Sequence, residues 1–385
     1  MTIQVTTANA PDPALKPHEW RDFALAAGKR AGFELTGAAG VAPSARLALF
    51  PDWIEQGNAG AMQYLARRGE DGRYLRESIR QAWPWARSVL CGAAVYNAAP
   101  PRASVPRDAE RGWISRYAWG SDYHDILRTR LEAWIRELRP LGGPADHFQP
   151  TVDTAPLVER DAALRAGLGW QGKNTCLLHP QAGSFFFLAA IITSLDLGAE
   201  ADAPLPDRCG TCTRCIQACP TQALTPYQMD ASRCLAYLNI ELRGPIPEPF
   251  RAALGDNLLG CDICQDVCPW NRRAPRTEVP EFQPRPGLFA PLLEELAELS
   301  EAGYREKFRG SAVKRAKYAG LRRNLALAMG NSGNPGFAPR LERWTQDPDP
   351  VLAEHASWAL ARLAGGAQAT PGPGTDVQVS TSTCP

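Results

Sequence analysis

The sequence predicts an α/β domain, then a cysteine-rich segment that binds iron–sulfur clusters, then an all-α end. Strand-like runs alternate with helical periodicity up to about residue 200, which is typical of an α/β domain. Eight of the eleven cysteines fall between Cys209 and Cys268. Beyond them helical periodicity returns, and Asn–Pro and Asp–Pro breaks interrupt it at 331–335 and 347–350.

The composition is that of an ordinary globular chain. It has 385 residues, 44% apolar content, 22% charged residues and a net charge of +1, enough for two or three domains with their own cores. No apolar run approaches the ~20 residues of a membrane span, and the N-terminus does not resemble a signal peptide, so we expect a cytoplasmic protein without a membrane partner. The small net charge excludes a wholly basic protein, so any nucleic-acid contact must come from local patches.

The first domain is built from the following predicted elements. Residues 1–17 lack periodicity and predict a disordered leader. Helices are predicted over 20–32, over 53–65 with a break at 57–60, and in a segment that ends near residue 138. Buried strands are predicted over 88–96, 175–179 and 184–193, and a Pro-rich loop over 100–106.

Asp153 precedes another predicted helix, which Thr154 can cap, Pro156 can start and Gly167 can close. The helix dipole would stabilise the Asp153 carboxylate there by a few tenths to ~1 kcal/mol. A general acid is the other interpretation, but it would need burial to keep its proton. Both interpretations remain open at this point.

The loop 167–174 nearly fits the phosphate-binding pattern G-x4-G-K-[ST]. Asn174 replaces the hydroxyl that would bind magnesium, and the loop follows a helix where a P-loop must follow a strand, so the sequence argues against ATP binding. With Trp170, Lys173 and Asn174, the loop suits the close approach of a flat ligand that bears amides.

The cysteine spacing predicts two [4Fe–4S] clusters. The first block reads C-x2-C-x2-C-x3-C-P and the second C-x2-C-x3-C-P, with Cys234 between them to supply the missing ligand. In two-cluster ferredoxins the last cysteine of each block binds the other cluster. This crossing predicts Cys209, Cys212, Cys215 and Cys268 for cluster 1, and Cys219, Cys234, Cys261 and Cys264 for cluster 2. A zinc ribbon or disulfides are the alternatives, but neither needs the third cysteine or the prolines.

The remaining motifs are less specific alone. Asp122-Tyr123-His124 allows a base or a metal ligand, although a single His is usually a core or helix residue. Helices are predicted over 294–299, 318–329, 337–344 and 351–363, a pattern typical of one or two HEAT-type repeats. A basic set opens this region and could bind a phosphate backbone: Lys314, Arg315, Lys317, Arg322 and Arg323. Residues 365–385 predict a disordered tail in which Cys384 is a free thiol, and no role is predicted for Cys91 or Cys176.

Taken together, several stretches closely resemble the epoxyqueuosine reductase family, over residues 20 to 364. They are 114–124 (ISRYAWGSDYH), 152–156 (VDTAP), 167–174 (GLGWQGKN), the cysteine blocks, 240–247 (IELRGPIP), 268–271 (CPWN) and 323–332 (RNLALAMGNS). Ferredoxin blocks alone are widespread, whereas this combination is highly specific.

The resemblance implies an oxidoreductase that performs the last step of queuosine synthesis, removing the epoxide oxygen of epoxyqueuosine at the wobble position of tRNA. It implies a reductive-dehalogenase-like cobalamin-binding α/β module over 18–200, a ferredoxin-like domain over 201–285 and a HEAT-like repeat over 286–364. The cofactors implied are cobalamin and two [4Fe–4S] clusters. The partners implied are tRNAs for Asp, Asn, His and Tyr and a low-potential flavodoxin or ferredoxin, with the enzyme as a monomer.

The resemblance also implies roles for single residues. Asp153 matches the proton donor of the family and lies at the cofactor. Tyr123 and His124 match polar residues around the substrate, and Lys314, Arg315 and Lys317 are expected to contact tRNA. The expected cobalamin contacts are Arg116, Val158, Glu159, Arg160, Trp170, Lys173 and Asn174, whereas early contacts such as Arg73 or Arg76 are less certain because the connection around 83–85 is longer than usual.

Two other functions are compatible with the cysteine motif. A cobalamin-dependent reductase of a small molecule, such as a dehalogenase, would lack the helical repeat and is commonly exported. A non-catalytic electron-transfer protein would leave about 200 residues before the clusters without a role. Uptake of cobalamin during anaerobic reconstitution separates this last possibility from either enzyme.

Overall fold

The computed structural model describes residues 17–42, 44–99, 108–198 and 204–365. Nearly all of the predicted leader, the Pro-rich loop and the tail with Cys384 therefore lie outside the described residues. None of the helices within these ranges combines the length and hydropathy needed to span a bilayer.

Strands and helices are numbered in chain order. The strands are β1 (Leu35–Gly40), β2 (Ser88–Val95), β3 (Trp113–Ile114), β4 (Phe148–Thr151), β5 (Trp170–Gln171), β6 (Leu177–Leu178), β7 (Phe186–Thr193), β8 (Leu224–Thr225), β9 (Gln228–Met229) and β10 (Asn257–Leu259). The helices are α1 (Pro17–Arg30), α2 (Phe50–Glu55), α3 (Ile79–Ala82), α4 (Tyr123–Leu138), α5 (Glu159–Arg165), α6 (Arg214–Gln217), α7 (Glu248–Arg251), α8 (Ile263–Asp266), α9 (Leu293–Ala297), α10 (Glu301–Lys307), α11 (Lys317–Ser332), α12 (Ala338–Trp344) and α13 (Pro350–Ala364).

A four-stranded antiparallel sheet in the order β1-β2-β7-β4 forms the centre of the first domain. Every residue of β2 is buried, because helices cover both faces of the sheet. Helices α1 and α4 pack on one face, and α5 packs on the other. Small residues permit this close packing: a Cβ at Gly92 would lie 2.7 Å from the Phe33 ring.

The strands predicted over 88–96 and 184–193 are confirmed as β2 and β7, and the helix predicted to end near residue 138 is α4. The strand predicted over 175–179 is only the short β6, and the helix predicted over 53–65 stops at Glu55. Strands β1 and β4 and helix α10 were not predicted. The sheet is antiparallel, a feature that the alternation of helices and strands did not specify.

The helix predicted to start at Thr154 is wrong. Helix α5 begins at Glu159, and Val158 occupies the position before it. The preceding residues form a tight turn instead, in which the Thr154 N–H donates to the Val152 carbonyl at 2.5 Å and Asp153 has a φ of +58°. Asp153 thus lies on a loop between β4 and α5.

The cysteine-rich segment is held to its neighbours by buried polar contacts. Strand β10 pairs with β3 of the first domain. Arg323 on α11 is buried and donates to the carbonyls of Leu238, Leu242 and Gly244, around a π-helical turn over Tyr237–Glu241. The sequence had placed Arg323 in a basic set that could bind a phosphate backbone. The structure shows that Arg323 is buried and has a structural role instead.

The helices predicted near the C-terminus are confirmed as α9 and α11 to α13 within a few residues. Their core is shared with Trp113 and Trp119 of the first domain, so the all-α end packs directly on it. Within this end, α11 and α13 approach so closely that a Cβ at Gly330 would lie 2.6 Å from the Ala359 Cα.

We expect Gly330→Ala to lower the thermal unfolding midpoint of the anaerobically prepared protein. The new methyl group overpacks the α11–α13 contact at a cost of about 1 to 3 kcal/mol, which exceeds the gain in helix propensity of up to ~1 kcal/mol. Gly320→Ala is the matched control in the same helix, where the nearest atom is 4.0 Å away. Its midpoint should stay equal or rise, and a lower midpoint for Gly320→Ala alone would contradict the packing argument.

Candidate active site and iron–sulfur ligands

Asp153 lies on the loop between β4 and α5 in a left-handed backbone conformation, with φ +58°. Such a conformation is uncommon outside glycine and is typical of functional loops. Arg76 is buried and holds the loop, because its guanidinium donates to the Ala155 carbonyl at 3.1 Å and to the Tyr64 carbonyl at 2.8 Å. The Asp153 side chain is 63% exposed, so its carboxylate is open to a ligand.

The carboxylate of Asp153 meets two side chains from the first turn of α4. The Tyr123 hydroxyl donates to Oδ2 at 2.9 Å, and His124 Nε2 lies 3.4 Å from the same oxygen. The Tyr123 ring stacks between the His124 ring and Phe187, with centroids 4.1 Å and 4.4 Å away. The structure thus brings together the three residues that the sequence predicted at the reaction site.

Asp122 completes this group from the N-cap position of α4. Its carboxylate is buried and accepts from the His124 backbone N–H, and it lies 2.8 Å from His124 Nδ1. The second oxygen of Asp122 is 2.6 Å from Lys314 Nζ. The sequence analysis named Asp122 only as part of a motif and missed its capping role, although an Asp two residues before a His at a helix start is a recognisable N-cap pattern.

The charges in this group favour a protonated imidazole. The hydrogen bond to Asp122 raises the pKa of His124 to about 9, and Asp153 acts in the same direction. The pKa of Asp153 is lowered, chiefly by its hydrogen bond with His124, and burial opposes that shift. These shifts favour an Asp153 carboxylate beside a protonated His124, as the interpretation of Asp153 as an anion requires.

The predicted tRNA-contacting residues lie beside this site. Lys314, Arg315 and Lys317 are exposed. Lys314 pairs with Asp122, and Arg315 forms a two-pronged contact with Glu241 at 2.8 and 2.9 Å. Lys317 has no ion pair within the described part of the chain. A basic surface therefore adjoins the Asp153 loop, although two of its three charges already have carboxylate partners.

Val158, Glu159 and Arg160 lie at the start of α5, just after the Asp153 loop. Glu159 Oε1 is buried without a hydrogen-bond partner among the described residues, and burial raises the pKa of Glu159 to about 7. Arg160 is exposed and donates to the Thr175 carbonyl at 2.9 Å. The cobalamin contacts assigned to these residues stay predictions, which the free carboxyl oxygen of Glu159 fits.

The charges of the cysteines in and around the two blocks act on one another. Burial raises the pKa of Cys268 to about 12, and the neighbouring thiolates of Cys176, Cys209 and Cys215 add to that effect. Cys234 has Cys219 and Cys176 as neighbours, and Cys264 has Cys176, Cys261 and Cys234. The division of the eight cysteines between two clusters stays a prediction.

In the described ranges, no three side chains of His, Cys, Asp or Glu form a group that could hold a single metal ion.

The residues predicted for cobalamin in the loop 170–174 contact the cysteine segment instead. Trp170 packs with Cys268 and Cys209. Lys173 Nζ donates to the carbonyls of Gly210 and Cys212 at 2.6 and 3.1 Å, and the Asn174 amide donates to the Cys264 carbonyl at 3.2 Å. These side chains therefore brace the cysteine segment, and their assignment to cobalamin stays a prediction. Burial raises the pKa of Cys209, and a hydrogen bond with the Trp170 indole opposes that shift.

Arg116 is also placed differently from the cobalamin contact that the sequence predicted. Its guanidinium is buried, pairs with Asp266 at 3.1 Å and donates to Asn97 Oδ1 at 2.6 Å. Its backbone N–H donates to Asp262 at 2.8 Å. Arg116 therefore ties the first domain to helix α8 of the cysteine segment, and its charge is satisfied inside the protein.

Fold and site together define a redox enzyme in which iron–sulfur ligands lie beside a carboxylate–imidazole group. Residues 208–271 match the family model of a 4Fe-4S double cluster binding domain, and residues 76–154 match the model described as "Epoxyqueuosine reductase QueG, DUF1730". The epoxyqueuosine reductase of Xanthomonas campestris is 37% identical, over 91% of this chain and 97% of that protein. That of Escherichia coli is 39% identical, over 80% of each chain.

A crystal structure of epoxyqueuosine reductase with an epoxyqueuosine-modified tRNA-Tyr stem loop is similar to this chain. It has a TM-score of 0.79 and 30% identity, and the match covers 90% of this chain and 91% of that one. The chain belongs to the epoxyqueuosine reductase family. The resemblance predicted from the sequence motifs is thereby confirmed.

We expect Asp122→Asn to lower the pKa of His124 from about 9 towards its ordinary value of 6.5. The variant removes the anion that stabilises the imidazolium, while Asn still caps α4. The measurement is NMR titration of the five histidines. Asp125→Asn is the matched control, because Asp125 lies on the same turn, is 71% exposed and does not touch His124.

The same shift has a defined effect on stability. Because the folded-state pKa of His124 lies above the unfolded value of 6.5, the interaction with Asp122 stabilises the fold fully below about pH 6.5 and is lost as the pH rises through 9. The unfolding midpoints of wild type and Asp122→Asn should therefore converge at high pH. A difference that grows above pH 9 would contradict the charge assignment.

Proposed function

We propose that this chain reduces epoxyqueuosine in tRNA to queuosine with the help of cobalamin and two [4Fe–4S] clusters. One observation carries this proposal: the chain combines a carboxylate and an imidazole that lie 3.4 Å apart with eight cysteines at two-cluster spacing. The similar proteins are named epoxyqueuosine reductases, and one of them is solved with an epoxyqueuosine-modified stem loop. Reduced thiols and a tRNA substrate suit the cytoplasm, where we expect a monomer.

Cobalamin fits the open site around Asp153. The free, buried Oε1 of Glu159 is an acceptor for the amide groups at the edge of a corrin, and Val158 and Arg160 flank it. When bound, cobalamin supplies a cobalt centre that can act in two-electron reduction, whereas the clusters carry single electrons. The reductive-dehalogenase likeness of this module stays a prediction.

The protein's own residues manage the protons. Loss of an epoxide oxygen as water consumes two electrons and two protons. His124 holds a proton at Nε2, 3.4 Å from Asp153 Oδ2, and Asp122 fixes the ring through Nδ1. Asp153 can pass this proton to the leaving oxygen and be recharged by His124, and the Tyr123 hydroxyl on the same oxygen orients the carboxylate.

The wobble base must leave its stack to reach Asp153, as in other enzymes that act on single bases. We propose that Lys314, Arg315 and Lys317 bind the phosphate backbone of the anticodon arm, because they border the Asp153 loop. The helices α11 to α13 behind them would serve as the HEAT-like repeat. We keep the proposed boundaries of 18–200, 201–285 and 286–364 as functional regions, with tRNAs for Asp, Asn, His and Tyr as substrates.

The two other functions make different predictions. A small-molecule reductase would bind cobalamin but would not change tRNA. A non-catalytic electron carrier would bind neither cobalamin nor tRNA. Mass analysis of tRNA nucleosides, after reaction of the reconstituted protein with a low-potential donor, separates an epoxyqueuosine reductase from both, because only that enzyme removes one oxygen from the modified base. Cobalamin uptake separates the two others from each other.

We expect Asp153→Asn to retain iron, cobalamin and tRNA binding but to lose turnover by about 10²- to 10⁴-fold, the usual contribution of a positioned acid. Asn tolerates the left-handed conformation at this position, so the loop should persist. Single-turnover mass analysis measures the rate, and absorbance spectra measure the cofactors. Asp125→Asn is again the matched control, and full activity of Asp153→Asn would remove Asp153 from the proton path.

We expect combined replacement of Lys314, Arg315 and Lys317 by Gln to weaken tRNA binding and flatten its salt dependence. Each phosphate contact that is lost should reduce the slope of log K against log salt by about 0.7 to 0.9. Direct binding assays over a salt series measure this without relying on turnover, since Lys314 also touches Asp122. Replacement of Lys29, Arg128 and Arg136 on α1 and α4 removes the same charge elsewhere, and an equal effect there would refute a local contact.

A further inference from the structure

The two predicted clusters differ in their position relative to the surface and to the site. Between the ligands of cluster 1, Gly210 and Thr211 are exposed. Cys264 of cluster 2 adjoins Cys176, which follows Thr175, the residue bonded to Arg160 at the start of α5. The loop of cluster 1 therefore meets the solvent, whereas a ligand of cluster 2 is linked through Cys176 to the segment that follows the Asp153 loop.

Arginines surround the ligands of cluster 1. Arg208 and Arg214 precede Cys209 and Cys215, and the other two follow Cys268 within five residues along the chain. We name this set the cluster 1 arginines: Arg208, Arg214, Arg272 and Arg273. Arg214 is half-buried and the other three are exposed.

Among the described residues, the cluster 1 arginines lack the carboxylate partners that several other surface arginines have. Within the described ranges, none of their side chains forms an ion pair or a hydrogen bond. By contrast, Arg305 pairs with Glu301, and Arg309 pairs with Glu306. The nearby carboxylate of Asp207 accepts from the Tyr227 hydroxyl and the Cys209 N–H instead. The surface at cluster 1 is therefore locally basic in a chain whose net charge is only +1.

We propose that the cluster 1 arginines form the docking surface for an acidic one-electron carrier protein. Unpaired charges of one sign repel each other, and an oppositely charged partner relieves this repulsion and is steered to the surface. The position fits electron entry, because the loop that carries three of the cluster 1 ligands is exposed at Gly210 and Thr211. The inference rests on the proposed function, since it concerns the electrons that the reduction consumes.

The electrons balance as follows. Each docking event oxidises the carrier by one electron and reduces cluster 1 by one electron, without a proton. Two such events supply the two electrons that convert one epoxide, with two protons, to an alkene and water. Small interfaces with complementary charge suit such transient encounters, because the carrier must leave after each transfer.

A tRNA phosphate backbone is the other polyanion that a basic surface could bind. The contacts argue against it here, because Lys314 pairs with Asp122 at the active site, whereas within the described ranges no hydrogen bond or ion pair joins the cluster 1 arginines to that site. Binding of tRNA is therefore an outcome to be tested, and the carrier is the occupant that we infer.

The test is charge reversal in the full-length protein with both clusters loaded: Arg208→Glu with Arg214→Glu, and separately Arg272→Glu with Arg273→Glu. Stopped-flow absorbance at low salt follows cluster reduction by a purified acidic ferredoxin. We expect each pair to slow the second-order rate by about tenfold or more, and wild type and variants to converge at high salt, as electrostatic steering requires. Iron content and absorbance spectra verify that the clusters remain.

Further control measurements show whether a slower rate results from lost docking. Reduction by a small photoreduced deazaflavin should be unchanged, which separates docking from damage to the clusters. Arg136→Glu with Arg343→Glu, two exposed arginines without ion pairs in the described ranges, should leave the ferredoxin rate unaltered. Unchanged ferredoxin rates in both cluster 1 pairs, or a loss of tRNA affinity in their place, would overturn the proposal. Turnover with the deazaflavin would still test the proposed function separately.

Discussion

The active site depends on the contacts that the buried carboxylate of Asp122 makes. It caps helix α4, fixes the His124 ring and meets Lys314 from the C-terminal region. A buried carboxylate is costly unless its oxygens are bonded, and here both oxygens have partners. The same contact that starts the helix therefore sets the charge of the imidazole, and through it the charge of Asp153. The side chain of Asp122 therefore serves both the start of helix α4 and the protonation of His124.

The parts of the fold that the sequence predicts are those with a strong local signal. The run 88–95 is apolar throughout, so a buried strand was evident, and the cysteine spacing defined the iron–sulfur segment without any knowledge of the fold. The helix at Thr154 was mispredicted because a capping residue followed by Pro satisfies local rules. Arg76, which lies far away in sequence, holds the turn that replaces it.

The site was predicted less completely than the fold, for a related reason. Asp153, Tyr123 and His124 were found from motifs, but motif membership does not say which way a side chain points. Trp170, Lys173 and Asn174 belong to a glycine-rich loop that suits a flat ligand, and tertiary packing directs them to the cysteine segment. Arg116 was assigned to cobalamin and Arg323 to a basic set for phosphate, yet each is buried with carbonyl or carboxylate partners that only the folded chain supplies.

The left-handed backbone at Asp153 has a consequence for which residues this position can accept. A side chain with a branched or bulky Cβ would strain the loop, whereas Asp and Asn adopt this conformation at small cost. Among these tolerated residues, only Asp carries a group that can accept and release a proton. Position 153 is therefore restricted in two ways, by the left-handed shape of the main chain and by the need for an acidic group, and few other residues meet both requirements.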